Sequence, residues 1–131
     1  MRYALTLPLA TIALACTDTV SSVPESIRLT NNTARDIAYV AVEQELAALV
    51  DPAPQLLGQT VRDRAVRAGE TVIADDIMGY VPGTGVVFFL YRVNGSLDDP
   101  DVTADYAMSL TVTGGELRAS RGRVQVTQLG P

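Results

Sequence analysis

The stretch NGSLDDPDVTAD, residues 94–105, holds the densest group of oxygen-bearing side chains in the chain. In a twelve-residue calcium loop, Asn94, Ser96 and Asp98 would supply the first three side-chain ligands and Asp105 the last. Asp99, however, stands where such a loop needs glycine, and no helix is predicted on either side. The spacing therefore favours a strand connection built from turn residues, with a calcium-stabilised module as an alternative. The candidate calcium ligands are Asn94, Asp98, Asp101 and Asp105.

A second possible chemistry rests on the neighbouring carboxylates Asp75 and Asp76. A glycosidase needs only two acids at a suitable separation. Adjacent residues on a strand point to opposite faces, so this pair is poorly placed to act on one substrate. We expect a turn or capping role for both residues, and a carboxylate-dependent secreted hydrolase is a less favoured alternative.

The composition excludes most other catalytic chemistry. The chain has no histidine, and all ten basic residues are arginine. Without histidine there is no Ser-His-Asp or Cys-His site, and without lysine there is no Walker A lysine and no Schiff base. We therefore expect a protein that is not an enzyme and uses no cofactor.

The charge distribution bears on the partner. The net charge is -5, and the arginines are dispersed along the sequence. Nucleic-acid-binding domains usually carry a basic stripe that follows the phosphates. We therefore expect no nucleic-acid partner.

The only cysteine, Cys16, ends an apolar run of 13 residues that follows Arg2, and the small residue Ala15 comes directly before it. This is the pattern of an export signal. A helix of that length spans about 20 Å, less than the roughly 30 Å of a bilayer's hydrocarbon core. The pattern therefore predicts a signal peptide and no permanent transmembrane helix.

The residues IALAC, 12–16, resemble the bacterial lipobox. The family most often has leucine three residues before the cysteine, where this chain has Ala13. The resemblance implies that residues 1–15 are a cleaved signal peptide and that Cys16 is acylated and holds the protein on a membrane. In lipoproteins of two-membrane bacteria, Asp directly after the cysteine marks inner-membrane retention. Thr17 in that place favours the outer membrane, if the organism has one.

Ordinary secretion, with cleavage in the segment TDTVSS after the cysteine, is the alternative. Both interpretations place the domain outside the cytoplasm. Residues 16–25 are polar and include a proline, which predicts a flexible tether from the lipidated cysteine to a domain at residues 26–131. With its one thiol at the anchor, the domain is expected to lack a disulfide.

The elements that must position these residues are mostly strands. ESIRLTN alternates apolar Ile27 and Leu29 with polar residues, which is typical of a half-buried strand. DIAYVAVE predicts a central strand and VVFFLYRV a fully buried one. Further strand candidates are residues 61–67, 70–74, 105–112 and 122–129. The apolar spacing over 42–50 predicts about two turns of helix, followed by an irregular loop over 51–59.

About seven short strands at spacings near ten residues predict a mostly β protein. The expected architecture is a single small β-sandwich of immunoglobulin-like outline with one short helix. Phe88 and Phe89 must point to opposite faces of their strand, so one is expected in the core. The other is expected between sheet and helix or on a binding patch.

Loops carry function more often than strands do, which makes 76–85 and 94–105 the expected contact loops. In GYVPGTG, residues 79–85, Pro82 and Gly83 suit the central positions of a type II turn. Together with Tyr80 beside them, they are the candidate contact residues.

Residues 27–93 resemble small uncharacterised bacterial exported proteins that share a strand–helix–D-x-A-P segment and a later G-Y-x-P-G turn before an aromatic strand. The resemblance implies a domain type and no mechanism. The sequence thus favours a non-catalytic, lipid-anchored cell-envelope protein that acts as a binding or assembly module. Its expected partners are the membrane, through acylated Cys16, and an envelope protein or glycan that the sequence does not specify.

Overall fold

The structure is a computed structural model and describes residues 26–130. It contains three helices, α1 (Gln44–Ala47), α2 (Gly58–Asp63) and α3 (Gly114–Ser120). The strands are β1 (Arg28–Asn31), β2 (Ile37–Glu43), β3 (Gln55–Leu57), β4 (Ala65–Val66), β5 (Thr71–Ile73), β6 (Ile77–Met78), β7 (Val86–Asn94), β8 (Thr103–Val112) and β9 (Arg123–Val126). Strands make up 42% and helices 16% of the structure, which confirms the predicted mostly β class.

The strands form two sheets. The small sheet has the order β5-β1-β9, with β1 antiparallel to β5 and parallel to β9. The large sheet has the order β3-β8-β7-β2-β4, and β6 pairs in parallel with β2. β2 thus has partners on both sides, as its apolar sequence predicted.

The two sheets pack on each other through one apolar cluster. The small sheet contributes its inward-facing residues Leu29, Val124 and Val126, and the large sheet contributes alternate residues of β2 and β7. The largest of these are Tyr39 and Phe88, whose ring centroids lie 6.0 Å apart. This arrangement is the two-sheet sandwich that the strand pattern predicted, built from nine strands instead of about seven.

The second face of the large sheet is covered as well. A separate cluster joins its even-numbered β2 residues and odd-numbered β7 residues to Val61 of α2 and Leu97 of the β7–β8 connection. Phe89 is only 6% exposed and belongs to this cluster. Both phenylalanines are therefore buried, and neither lies on a surface patch.

The small sheet, in contrast, has one uncovered face. Along β1 and β9, buried and more exposed residues alternate, so one face enters the core and the other is accessible. The edge strand β5 follows the same alternation, with Thr71 and Ile73 exposed. This face of the small sheet is therefore accessible to solvent.

Asn31 closes one end of β1. Its side chain is fully buried and donates to the backbone carbonyls of Arg35, at 2.7 Å, and Val66, at 2.9 Å. Its side-chain oxygen accepts from the Thr33 backbone at 2.9 Å. A buried amide must find such partners, and here they tie the turn after β1 to the end of β4.

The helix predicted over 42–50 is shorter than expected. Val42 stays in β2, and the Glu43 carboxylate caps α1 by accepting from the backbone N–H groups of its first turn, at 2.9 and 3.2 Å. Leu46 is half-buried, but Leu49 is 84% exposed. The prediction was wrong at both ends. At the start, Val42 and Glu43 pair with β7 as part of β2, and at the end, Leu49 has no apolar cover among the described residues.

Two other local predictions were wrong in part. Of the strand predicted over 61–67, only Ala65–Val66 is strand, in β4, and the first three residues belong to helix α2. Gly58 at φ 51° turns the chain out of β3, and Val61 packs fully buried under the large sheet. The irregular loop predicted over 51–59 contains β3, which pairs with β8. In both cases a long-range packing partner decided the local conformation.

Helix α3 was not predicted. Thr113 and Glu116 form a capping box, with the Thr113 hydroxyl accepting from the Glu116 backbone at 3.1 Å and the Glu116 carboxylate accepting from the Thr113 backbone at 3.0 Å. The T-x-x-E spacing was readable in the sequence and indicates a helix start.

Candidate functional site

A cavity of about 360 Å³ opens where the edges of the two sheets meet. Its walls come from the start of β1, the end of β5, the residues that follow β5, and β6 with the loop after it. The lining residues are Ser26, Ile27, Ile73, Ala74, Asp75, Ile77 and Tyr80. Tyr80, one of the predicted contact residues, therefore lies in a real concavity.

Three exposed apolar side chains occur in this part of the chain: Ile73 lines the cavity, and Met78 and Val81 directly follow its lining residues Ile77 and Tyr80. Ile73 is 53% exposed, Met78 is 53% exposed, and Val81 is 58% exposed. We call these three residues the apolar rim. Single exposed apolar residues are ordinary, whereas several of them near a concavity are a reason to look for an interaction site. Three within residues 73–81, one of them in a cavity wall, make this segment the candidate contact site.

The turn predicted at Pro82 and Gly83 is present. The Thr84 backbone N–H donates to the Val81 carbonyl at 3.1 Å, and Gly83 has φ 96°, the left-handed region that a type II turn requires at this position. Glycine is needed here because a side chain disfavours that region.

Both ends of this loop are held against the fold. A Cβ at Gly79 would lie 2.8 Å from the Leu46 side chain of α1. At the other end, the first residue of α3, Gly114, lies directly against the Gly83 carbonyl oxygen. The predicted contact loop therefore has close neighbours in α1 and α3.

The carboxylates near the cavity have separate surroundings. Asp75 lines the cavity, whereas the Asp76 carboxylate forms an ion pair with Arg64 at 2.7 Å. Both lie in the link between β5 and β6, outside any strand. Burial raises the pKa of the Tyr39 phenol, Arg64 opposes that shift, and Asp75 and Asp76 add to it. At neutral pH this phenol is protonated and is a poor nucleophile.

The residues of the acidic stretch form hydrogen bonds with one another and with β3. Asp105 accepts from the side-chain amides of Gln55, at 2.8 Å, and Asn94, at 3.0 Å. These two bonds lower the pKa of Asp105, the Gln55 bond having the larger effect. Asn94 thus points its N–H group, not its carbonyl oxygen, at the carboxylate that was predicted to share a cation with it.

Other residues of this stretch form hydrogen bonds within turns. The Asp101 backbone donates to the Asp99 carboxylate at 2.8 Å, and the Asp98 backbone donates to the Ser96 hydroxyl at 3.2 Å. Such bonds to a residue two positions earlier are typical of Asx and serine turns. Within residues 26–130, no three side chains of His, Cys, Asp or Glu gather closely enough to hold a metal ion.

No family model, curated protein or solved structure matches this chain. The candidate site therefore has to be argued from its own geometry.

The predicted signal peptide, the lipidated Cys16 and the tether lie outside the described residues. Among the described residues, no helix is both long and apolar enough to cross a membrane.

The apolar rim was only partly anticipated. The loop 76–85 contains Met78 and Val81, but Ile73 was assigned to an ordinary strand. No local pattern reveals that the end of β5 meets β6 across a cavity. An exposed isoleucine at the end of an edge strand becomes visible only when the two sheets are assembled.

Proposed function

We propose that the protein is a non-catalytic, lipid-anchored domain of the cell envelope that binds another envelope component. Acylation of Cys16 would attach the chain to a membrane, with the outer membrane favoured if the organism has one. The domain would then act outside the cytoplasm as a binding or assembly module.

The observation that carries the binding proposal is the cavity at the junction of the sheets, with exposed Ile73 in its wall and exposed Met78 and Val81 next in the chain to its lining residues. The apolar character of these side chains favours a protein surface over a glycan as the partner, because exposed apolar groups beside polar ones are typical of protein–protein and membrane contacts. The nearby Asp75 and the backbone groups of the turn at Pro82 could supply polar contacts at the edge.

The anchor is tested by intact mass and membrane fractionation of the full chain in a lipoprotein-processing bacterium, beside Cys16→Ser. We expect the wild type to lose residues 1–15, gain acyl mass and sediment with membranes, and the variant to do none of these. A soluble, unmodified wild type cut after Cys16 would contradict the anchor.

The binding surface is tested separately with a photoreactive residue placed at Val81. The control places it at Leu57, which is 61% exposed and lies on β3 at the far edge of the large sheet. We expect a defined envelope-protein adduct from position 81 that Ile73→Ser with Met78→Ser abolishes. Equal adducts from both positions would show that the apolar rim is not the binding surface.

A further inference from the structure

The accessible face of the small sheet carries a row of three side chains. Arg28 of β1 is the register partner of both Ile73 of β5 and Arg123 of β9, and all three residues are exposed. Neighbouring strands lie about 4.8 Å apart, so the row is about 10 Å long. We call it the cationic row.

The positive charge of the row is not neutralised within the described domain. Neither Arg28 nor Arg123 forms an ion pair with a carboxylate of residues 26–130. The Nε of Arg123 donates to the Ser120 carbonyl at 3.2 Å, and exposed Arg121 adjoins the row where α3 ends. A chain of net charge -5 therefore presents two exposed guanidinium groups side by side on this face, outside any salt bridge of the described residues.

The chain reaches this same end of the sheet from its N-terminal segment. Arg28 comes twelve residues after Cys16. Twelve residues span at most about 43 Å even when fully extended. If Cys16 is acylated, the cationic row lies within that distance of the bilayer surface.

We propose that the cationic row lies against a membrane surface that carries anionic phospholipids. This inference rests on the proposed acylation of Cys16. Guanidinium groups bind phosphate through paired N–H donors, which suits Arg28 and Arg123 to phospholipid headgroups. The lipid anchor and the row would together hold the domain in one orientation, with a fixed sheet face towards the bilayer.

Acidic residues lie both beside the row and away from it. Asp75 lines the cavity with Ile73. Glu116 lines a surface groove with Arg123. The stretch from Asp98 to Asp105 belongs to the β7–β8 connection and to β8, in the other sheet. The cavity shares Ile73 with the row, so a partner at the cavity would be engaged close to the membrane.

The orientation can be measured with one fluorophore. Because Cys16 is the only cysteine and acylation blocks its thiol, a new cysteine is the single free thiol of the acylated chain. Bimane is attached at Ile73→Cys or, as the matched control, at Leu57→Cys. The proteins are reconstituted in phosphatidylethanolamine vesicles with about a quarter phosphatidylglycerol and a headgroup nitroxide quencher, because anionic lipid supplies the attraction.

We expect stronger quenching at position 73 than at position 57. Each arginine near an anionic surface favours the bound orientation about fivefold. Arg28→Gln with Arg123→Gln should therefore reduce the equilibrium constant for that orientation about 25-fold. Salt near 1 M should also weaken the contact between the cationic row and the membrane, because the Debye length falls to about 3 Å.

The charge-matched control is Arg35→Gln with Arg67→Gln. These two arginines lie in turns at the opposite end of β1, around Asn31. We expect this variant to keep the difference between positions 73 and 57. Equal quenching at both positions, or equal effects of the two double variants, would overturn the proposal.

Intact mass separates this proposal from the anchor itself. If the protein is acylated but quenching is equal at positions 73 and 57, the anchor is supported and the oriented membrane contact is contradicted. If the mass shows no acyl chains, the anchor proposal is wrong, and sedimentation of the unacylated chain with anionic vesicles decides the surface contact. The row is supported if the unacylated wild type and the control variant bind the vesicles and Arg28→Gln with Arg123→Gln does not. If the wild type does not bind, or both variants lose binding equally, the proposal is wrong.

Discussion

At the scale of single residues, hydrogen bonds between side chains decide what the acidic stretch can do. Asp105 receives two amide N–H donors, one from Gln55 on the neighbouring strand and one from Asn94. A carboxylate that accepts such donors is stabilised in its charged form. Its pKa is therefore set by the pairing of β3 with β8 as well as by its own sequence neighbours.

Gln55→Ala should raise the pKa of Asp105 towards its ordinary value of 3.8, because the larger of the two lowering bonds is removed. A lowered folded-state pKa stabilises the fold above the unfolded-state pKa, and this contribution is lost as the pH falls through the folded-state pKa. In the wild type the contribution is therefore complete above about pH 3.8 and declines as the pH falls from there towards the lower folded-state pKa. The measurement is an NMR titration of the Asp105 carboxyl carbon.

The control for this prediction is Gln59→Ala, which removes a similar amide that donates to Asp63 in α2. It should leave the titration of Asp105 unchanged. An unaltered Asp105 titration in Gln55→Ala would mean that the amide of Gln55 does not lower this pKa.

At the scale of elements, α3 supports the predicted contact loop from behind. The helix begins at a capping box on Thr113, and its first residue lies against the carbonyl of the turn residue Gly83. Glycine at position 114 is required by this close backbone approach. The next residue, Gly115, has no such neighbour, since its nearest possible Cβ contact is 3.9 Å away.

Gly114→Ala and Gly115→Ala should therefore change stability in opposite directions. The first must displace backbone at Gly83 and should lower the free energy of unfolding by about 1–3 kcal/mol. The second fills open space on a helix and should raise it by roughly 0.5 kcal/mol. Urea unfolding of both variants beside the wild type measures the two effects. Similar values for both would show that α3 does not press on the turn.

At the scale of the whole molecule, the large sheet is the central layer. The small sheet packs on one face, and α2 with the β7–β8 connection covers the other. The strand β7 is consequently buried on both faces over most of its length. The small sheet keeps one accessible face, and the cationic row and the apolar rim both include Ile73 of its edge strand β5.

Phe88→Ala and Phe89→Ala should each lower the free energy of unfolding by about 3–5 kcal/mol, because each empties a filled core. Phe88 packs against Tyr39 and Phe89 against Tyr106, on opposite faces of the sheet. Leu57→Ala, at a side chain 61% exposed, should change it by less than about 0.5 kcal/mol. Denaturant unfolding compares the three, and a small effect of Phe89→Ala would place that ring on a surface instead.

Taken alone, the sequence determined the strands at 28–31, 37–43 and 86–94 and the turn at Pro82 and Gly83. These features depend on alternation, β-branched content and turn chemistry within a few residues, so local sequence specifies them. The lipidation of Cys16 and the envelope function stay predictions of the sequence.

Only the tertiary structure decided which faces are covered and which distant residues meet. Gln55 reaches Asp105 across 50 positions, and Ile73 and Arg123 come beside Arg28 only because β5 and β9 both pair with β1. The same strand pattern allows other pairings, and burial of the remaining apolar faces selects among them. The site at the junction of the sheets is therefore a product of packing between segments far apart in the chain.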